Sequence, residues 1–237
     1  MTLDQIHYIP ILTTLLSAVF GTVILRRYLG RRDRQHLGWW AAGVYIYGLG
    51  TLAESLVTLF GWNPVVFRLW YITGALLGGA PLAQGSVYFH FSRRMANRIT
   101  AIVVPYVALA ALAVCLTPLD PSLAEPHRLS GRVMAWQWVR LLSPFINLYA
   151  VIFLVGGAIV SAVRYRQQQA PSNFVAGNAL IAIGAILPGI GGSFTRLGYV
   201  EVLYVAECIG LILIWRGYQL CTRPRVGVAS TAPAVAV

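Results

Sequence analysis

Seven apolar runs, each of about 20 residues, follow one another through this chain of 237 residues. A helix of that length crosses a hydrocarbon core of about 30 Å. Only 11% of the residues are charged, whereas soluble domains carry roughly 25%. The pattern predicts an all-α, polytopic membrane protein built as one seven-helix transmembrane domain over residues 1–220. The predicted helices cover residues 7–27, 38–60, 66–90, 99–118, 140–163, 174–194 and 198–217.

The segments between these runs are short, with one exception. Residues 119–139 contain prolines and charges of both signs, which predicts an ordered or semi-ordered loop at a membrane surface. Residues 221–237 are small and of low complexity, which predicts a disordered cytoplasmic tail.

The arginines predict the orientation of the chain. All 18 basic residues are arginine; 13 of them follow predicted helices 1, 3, 5 and 7, and 5 lie on the other side. Because cytoplasmic loops are enriched in positive charge, we expect the N-terminus outside and the C-terminus in the cytoplasm, in a bacterial cytoplasmic (inner) membrane. The same rule accounts for the net charge of +11, so no nucleic-acid partner is predicted.

One short motif, Arg-Leu-any-Tyr, occurs at Arg68–Tyr71 and again at Arg196–Tyr199. Each copy opens a predicted helix, and helices 1–3 and 5–7 run in the same directions on either side of helix 4. These features suggest a parallel three-plus-one-plus-three repeat. Topology alone would also place the arginines, and a match of four residues arises readily by chance, so the repeat is a hypothesis.

Ionisable side chains inside the spans mark a candidate ligand-binding site. A charge at bilayer depth costs about 2.5–3.5 kcal/mol unless it is paired or hydrated. A short outer hairpin joins Glu54 to Arg68, and we expect Arg68 to pair with Glu54 or with Glu201. Snorkelling of the arginine and a neutral carboxyl that bonds a neighbouring helix are the alternatives. The candidate site residues are Glu54, Arg68, Tyr71, Glu201, Tyr204 and Glu207.

Other residues of the third helix are interpreted as structural. Trp70 is predicted to anchor the helix at the outer interface, as tryptophans commonly do. Gly74 and Gly78 are predicted to form a packing surface, because small residues let membrane helices approach closely.

Several chemistries lack the residues that they need. The chain contains no lysine, which excludes attachment of retinal and a lysine nucleophile. Its four histidines lie at span ends or in loops, so neither a haem nor a metal site is predicted. No Gly-x-Ser-x-Gly motif occurs. We therefore predict a protein that is not an enzyme and that uses no cofactor.

The segment from Trp39 through Glu54 to Tyr71, Gln84, Gly85 and Tyr88 resembles part of the N-terminal seven-transmembrane sensor region of bacterial seven-transmembrane histidine kinases. The resemblance implies a sensor, and because no kinase domain is expected after helix 7, its output would be a separate protein. The topology is also similar to that of PQ-loop sugar transporters and of microbial rhodopsins. No Pro-Gln dipeptide occurs, and the lack of lysine separates the chain from retinal proteins.

Three functions are compatible with this pattern. The leading hypothesis is a stand-alone sensor or receptor-like module in the lipid bilayer, which binds a small or lipophilic ligand in an outward-facing cavity and acts through a membrane or cytoplasmic protein partner. The second is a small-solute or proton-coupled transporter in which Glu54 or Glu207 exchanges the proton. The third is a structural subunit of a membrane complex. A transporter needs a polar path on the cytoplasmic side, which a sensor does not.

Overall fold

The computed structural model describes residues 6–125, 129–195 and 197–222, and in these ranges its regular structure is helical apart from one isolated bridge between Leu119 and Met134. Six helical segments there are long and apolar enough to cross a membrane, and each coincides with a predicted run. They are Ile9–Leu29, Gln35–Phe60, Pro64–His90, Arg93–Leu116, Gln137–Gln167 and Ser172–Thr195. Over the described residues, a helical fold with six helices compatible with a multi-pass membrane protein is therefore confirmed, while seven spans and the orientation stay predictions.

Two of the six segments are interrupted, which gives eight α-helices, and a ninth follows at Val200–Thr222. The described residues therefore contain nine α-helices. In chain order they are α1 (Ile9–Leu29), α2 (Gln35–Phe60), α3 (Pro64–Trp70), α4 (Ala80–His90), α5 (Arg93–Leu116), α6 (Leu142–Ala150), α7 (Gly156–Gln167), α8 (Ser172–Thr195) and α9 (Val200–Thr222). Wider π-helical turns separate α3 from α4 at Tyr71–Leu76 and α6 from α7 at Val151–Val155. We call Pro64–His90 the third span and Gln137–Gln167 the fifth span.

The helix α9 is not among the six apolar segments. It has 23 residues, enough to cross a membrane, but it contains Glu201, Glu207 and Arg216. It also extends to Thr222, beyond the predicted end at residue 217. Cys221 and Thr222, which were predicted to begin the tail, are thus helical, and residues 223–237 lie outside the described residues.

Helices α8 and α9 pack against each other along a row of glycines. Gly177, Gly184 and Gly191 recur every seven residues on α8, and they lie against Gly217, Gly210 and Leu203 of α9. A Cβ atom placed on Gly184 would lie 2.5 Å from the carbonyl oxygen of Gly210. A spacing of seven keeps residues on one side of a helix, and the absence of side chains lets the two backbones approach closely.

The outer surface of the bundle is apolar. On α5 the side chain of Ile102 is 72% exposed and that of Leu109 is 68% exposed, and leucines and valines of α1 face outward in the same way. Hydroxyl groups, by contrast, are turned inward, and Thr13 and Ser17 bond carbonyl groups of their own helix. This distribution suits a lipid solvent, in which exposed apolar side chains carry no cost.

Arginine side chains gather at one end of the bundle. The Arg27 guanidinium on α1 donates a hydrogen bond of 3.3 Å to the Tyr218 hydroxyl on α9 and lies over its ring. Arg93, at the start of α5, donates to the carbonyl oxygen of Asp33 over 2.5 Å. These contacts bring together helix ends that are far apart in sequence, and we call this the arginine-rich end.

An ordered segment covers the opposite end. In this cap, whose described residues are 117–125 and 129–141, the side chains of Leu129, Val133, Met134 and Val139 are buried against Phe67 and Tyr71 of the third span. The Thr117 hydroxyl accepts a hydrogen bond from the backbone N–H of Trp136 over 3.1 Å and so closes the loop. Two hydrogen bonds from Ser122 lower the pKa of the exposed Asp120 carboxyl in this segment. His127 and Arg128 lie outside the described residues.

The third span approaches α2 where its helix is irregular. A Cβ atom on Gly50 would lie 3.1 Å from the Cα atom of Gly74, so the two backbones nearly touch. The N–H group of Leu77 bonds the carbonyl of Ile72, five residues back, as in a π-turn. The predicted repeat does not match this irregularity, because the corresponding helix α9 is continuous. Arg196, which opens the second copy of the motif, lies outside the described residues, and the repeat stays a prediction.

Candidate ligand-binding site

A cavity of about 1060 Å³ lies in the half of the bundle that the cap covers. Its wall is formed by α2, α8, α9, the third and fifth spans and part of the cap. Glu54 and Glu207 belong to the lining, and we therefore call it the acidic cavity. A volume of this size accommodates a drug-sized molecule.

Glu54 is held by the helix that precedes the hairpin. Its side chain is only 3% exposed, since it shares an inward face of α2 with Thr51 and Val57. The Trp70 indole Nε1 donates a hydrogen bond of 3.0 Å to Glu54 Oε1. The second oxygen, Oε2, is buried and accepts no hydrogen bond from any described residue. A buried polar atom without a partner is rare in proteins and requires a physical reason.

Glu207 lies beside Glu54, and the two carboxyl groups interact directly. Its Oε2 atom is also buried without a hydrogen-bond donor among the described residues. No arginine or histidine in residues 6–125, 129–195 and 197–222 forms an ion pair with either carboxyl. Two carboxylates in contact in a buried site cannot both stay charged without a counter-charge. The pair, which we call the acid pair, is therefore suited to hold a proton or a cation.

Phenol groups surround the acid pair. The Tyr47 hydroxyl donates a hydrogen bond of 3.0 Å to the backbone carbonyl of Glu207 and links α2 to α9. Tyr204, one turn before Glu207, is 3% exposed and lies close enough to both acids to interact electrostatically with them. Tyr71 lines the acidic cavity, and its hydroxyl accepts a hydrogen bond of 3.2 Å from Ser143 of α6.

The predicted pairing of Arg68 with Glu54 or Glu201 is wrong for the described residues. The Arg68 guanidinium instead donates a hydrogen bond of 3.0 Å to the carbonyl oxygen of Thr117, at the end of α5. Positions 68 and 70 lie about 200° apart around a helix. When the Trp70 indole faces Glu54, the Arg68 side chain must therefore face away from it.

Glu201 is also separate from the acidic cavity. Its Oε1 atom lies 3.8 Å from His7 Nε2, and the His7 ring meets the Tyr204 ring edge-on at 5.9 Å between centroids. Of the six candidate residues, the structure places Glu54, Tyr71 and Glu207 in the lining. Arg68, Glu201 and Tyr204 lie outside it.

Two residues of the site, Trp70 and Tyr47, are not among the predicted site residues. Trp70 was interpreted as an interfacial anchor, yet its indole is half-buried and bonds Glu54. Tyr47 is not among the predicted residues, although it precedes Glu54 by seven residues and so lies on the same face of α2. Gly74 and Gly78, predicted to serve packing, do so in part, and both also line the acidic cavity.

A second cavity, of about 610 Å³, lies at the arginine-rich end. Arg27, Arg31, Arg34, His36 and His90 belong to its lining, together with Cys221, so we call it the basic cavity. The His90 ring is fixed on both sides, by the Ser86 carbonyl at 2.8 Å from Nδ1 and the Ser161 hydroxyl at 2.9 Å from Nε2.

Four side chains line both cavities, and all four are apolar. They are Val44, Leu82, Leu154 and Ile214, from α2, α4, the fifth span and α9. No other described residue belongs to both linings. We call these four residues the apolar layer, because they separate an acidic compartment from a basic one.

Comparisons with known proteins do not assign this arrangement to a family. No family model matches the chain, and no curated protein and no solved structure matches it either.

Proposed function

We propose that this chain is a proton-coupled transporter of a small solute, with α9 as its seventh membrane span. The observation that carries the proposal is the pair of cavities at opposite ends of one bundle, divided by the apolar layer. Transport by alternating access needs a binding site that opens to each side in turn across a barrier thin enough to rearrange. The basic cavity supplies the polar path at the arginine-rich end that a transporter requires.

The position of the acid pair supports the coupling to protons. On α9, Glu207 precedes Ile214 of the apolar layer by seven residues, so the carboxyl and the barrier share one face. On α2, Tyr47 lies one turn from Val44 and bonds the backbone of Glu207. A proton that moves onto the pair therefore changes the charge next to the barrier.

The π-helical interruptions support a transporter in which the third and fifth spans change shape during transport. Both π-helical segments border the acidic cavity, through Tyr71 and Gly74 in one case and Val151 and Val155 in the other. Broken helices line the binding sites of many transporters, and π-turns are frequent at functional sites.

The positive-inside rule orients this transporter with its N-terminus outside, its C-terminus in the cytoplasm and the acidic cavity toward the exterior of a bacterial cytoplasmic membrane. The basic cavity then faces the cytoplasm.

A ligand sensor that acts through a separate protein is the second candidate. The observation that favours it is the cap, whose Gly131 lies against the Tyr71 ring at the wall of the acidic cavity. A Cβ atom on Gly131 would be 3.0 Å from Tyr71 Cε2, so a ligand that displaces the Tyr71 ring also displaces the cap. A sensor binds its ligand without moving it across the membrane.

The test uses the full chain in proteoliposomes that contain a pH-sensitive dye. Choline, glucose and succinate are added separately as a cationic, a neutral and an anionic probe, under an imposed pH gradient. We expect at least one probe to drive proton movement, and we expect Glu207→Gln to abolish it. Glu201→Gln, on the same helix but outside the acidic cavity, should leave the signal unchanged.

Proton movement that is equal with and without every probe would refute the transporter. Binding of a probe without flux, measured on the same preparation, would support the sensor instead.

A further inference from the structure

We infer that the acidic cavity takes a small organic cation, an ammonium compound with apolar substituents, which competes with a proton for the acid pair. The inference rests on the transporter proposed above and names the class of its substrate.

The unpartnered oxygens of the acid pair require a donor or a positive charge. Glu54 Oε2 and Glu207 Oε2 are both buried, and apart from the hydrogen bond that the two carboxyl groups share with each other, no described residue donates to either. Glu54 is only 3% exposed, and both Glu54 and Glu207 line the acidic cavity. An ammonium group carries both the charge and the N–H donors that such oxygens lack, and its presence removes the repulsion between the two carboxylates.

The donors around the pair are already engaged. The Trp70 Nε1 atom bonds Glu54 Oε1, and the Tyr47 hydroxyl bonds the Glu207 carbonyl. Arg140 of the cap also lines the cavity, and one of its N–H groups donates to Gln137 Oε1 over 2.8 Å. A ligand with only acceptor groups would therefore add unsatisfied oxygens to a site that already has two. At the acid pair itself, the arrangement favours a ligand that brings its own donors.

The rest of the lining suits apolar substituents on that cation. The aromatic side chains of Tyr47, Trp70, Tyr71 and Trp138 belong to the wall, and glycines and aliphatic residues supply most of the remainder. A cation close to an aromatic face gains about 0.5–2 kcal/mol from the ring electrons. The volume of about 1060 Å³ leaves room for groups larger than methyl.

A proton and an organic cation compete at this site, because each relieves the repulsion between the same two carboxylates. Among the described titratable groups, Tyr47 of α2 and Tyr204 of α9 interact with the pair, and Cys208 of α9 interacts with Tyr47. Tyr71 and Arg140 line the same cavity. Over the described residues, α8 contributes no ionisable side chain to the lining. Phenols, thiols and guanidinium groups ordinarily keep their charge through the acidic and neutral range. In that pH range, the carboxyl groups are thus the sites at which a proton and the cation replace each other.

The test measures binding to the full chain in lipid nanodiscs by calorimetry. Benzylammonium, which keeps its N–H donors, is the cationic probe, and benzoate and benzyl alcohol are its anionic and neutral counterparts. We expect the cation to bind in preference to both, with an affinity that falls by up to about tenfold for each pH unit of acidification. In buffers of different ionisation enthalpy, binding should release about one proton.

Two variants separate charge from shape. Glu207→Gln should lower the affinity for the cation at least tenfold, while Glu201→Gln should match the unmodified chain. Gly192→Phe fills open space in the cavity, since a Cβ atom there meets no atom within 4 Å, and it should block binding without altering any charge. Far-UV circular dichroism of each variant verifies that the helices are retained.

Equal affinity for benzoate or benzyl alcohol, or unchanged cation binding in Glu207→Gln, would overturn the inference. The outcome is distinct from that of the transport test. If only glucose or succinate drives proton movement in proteoliposomes, the transporter is supported and the cationic substrate is refuted. If the cation binds but no probe is transported, the cation site is supported and the transporter is refuted.

Discussion

The indole Nε1 of Trp70 donates a hydrogen bond of 3.0 Å to the carboxylate Oε1 of Glu54. The two residues lie on successive antiparallel helices, and each is eight residues from Trp62 in the hairpin between them (62 − 54 = 8 and 70 − 62 = 8). That symmetry brings them to the same depth. The bond occupies one oxygen of a buried carboxyl, and the other oxygen is buried near Glu207.

Replacing this donor should destabilise the bundle. Trp70→Phe keeps an aromatic ring but leaves Glu54 Oε1 without its hydrogen bond, which costs about 1–3 kcal/mol for a buried group. We expect a lower midpoint of thermal unfolding in detergent. Trp62→Phe, in the hairpin and packed against Phe67, is the matched control and should cost less. If the bond is the cause, the loss should shrink in a Glu54→Leu background; an equal loss there would contradict it.

The close contact between α8 and α9 predicts opposite effects of alanine at two glycines of α8. Gly184→Ala places a methyl group 2.5 Å from the Gly210 carbonyl and should destabilise the protein by about 1–3 kcal/mol. Gly189→Ala meets no atom within 4 Å, and alanine favours the helix by up to about 1 kcal/mol. Thermal unfolding of both variants checks the difference in sign, and a similar loss at both positions would argue against close backbone contact.

The two cavities should be accessible from opposite sides of the membrane. Cys221 lines the basic cavity, and Gly192→Cys would place a thiol in open space of the acidic cavity. In vesicles of known orientation, a membrane-impermeant thiol reagent should label each thiol from a different side. The measurement uses a Cys115→Ser background, since Cys115 is exposed on α5. Labelling of both thiols from one side would contradict the two-cavity arrangement.

The apolar layer should limit the passage of protons at rest. Leu154→Asn introduces a polar group into the layer, and we expect it to raise the passive proton leak of proteoliposomes several-fold because water can then enter. Leu148→Asn is the matched control, because Leu148 lies on the same span but is 57% exposed on the outer surface. Equal leaks in the two variants would mean that the layer is not the barrier.

The helices could be predicted because apolar length is a strong local signal. Each predicted run overlaps a helix of the structure, including α9, whose charged residues lower its hydropathy. The π-helical segment Tyr71–Leu76 could not be predicted. Its residues Tyr-Ile-Thr-Gly-Ala-Leu are ordinary for a membrane helix, and the wider turn depends on how the third span packs against Gly50 of α2.

The sequence predicts which ionisable residues lie within the membrane spans, but not which way each side chain points. The cost of burying a charge drew attention to Glu54 and Glu207, and both lie in the acidic cavity. The same argument failed for Arg68, because a long side chain near a helix end can reach a backbone carbonyl such as that of Thr117. Hairpin symmetry identifies Trp70 as the partner of Glu54, whereas Glu207 comes from a distant helix that no local pattern connects to α2.

The four residues Val44, Leu82, Leu154 and Ile214 have an electrical consequence. Where aqueous cavities enter a membrane protein from both ends, the membrane potential falls mainly across the dry barrier between them rather than across the full bilayer. An elementary charge that crosses the potential gains or loses about 2.3 kcal/mol per 100 mV. Because Glu207 lies on one side of this barrier and the arginines on the other, a proton passing from the acid pair to the basic cavity would traverse most of the field. The thickness of four side chains would then determine how strongly voltage drives the protein.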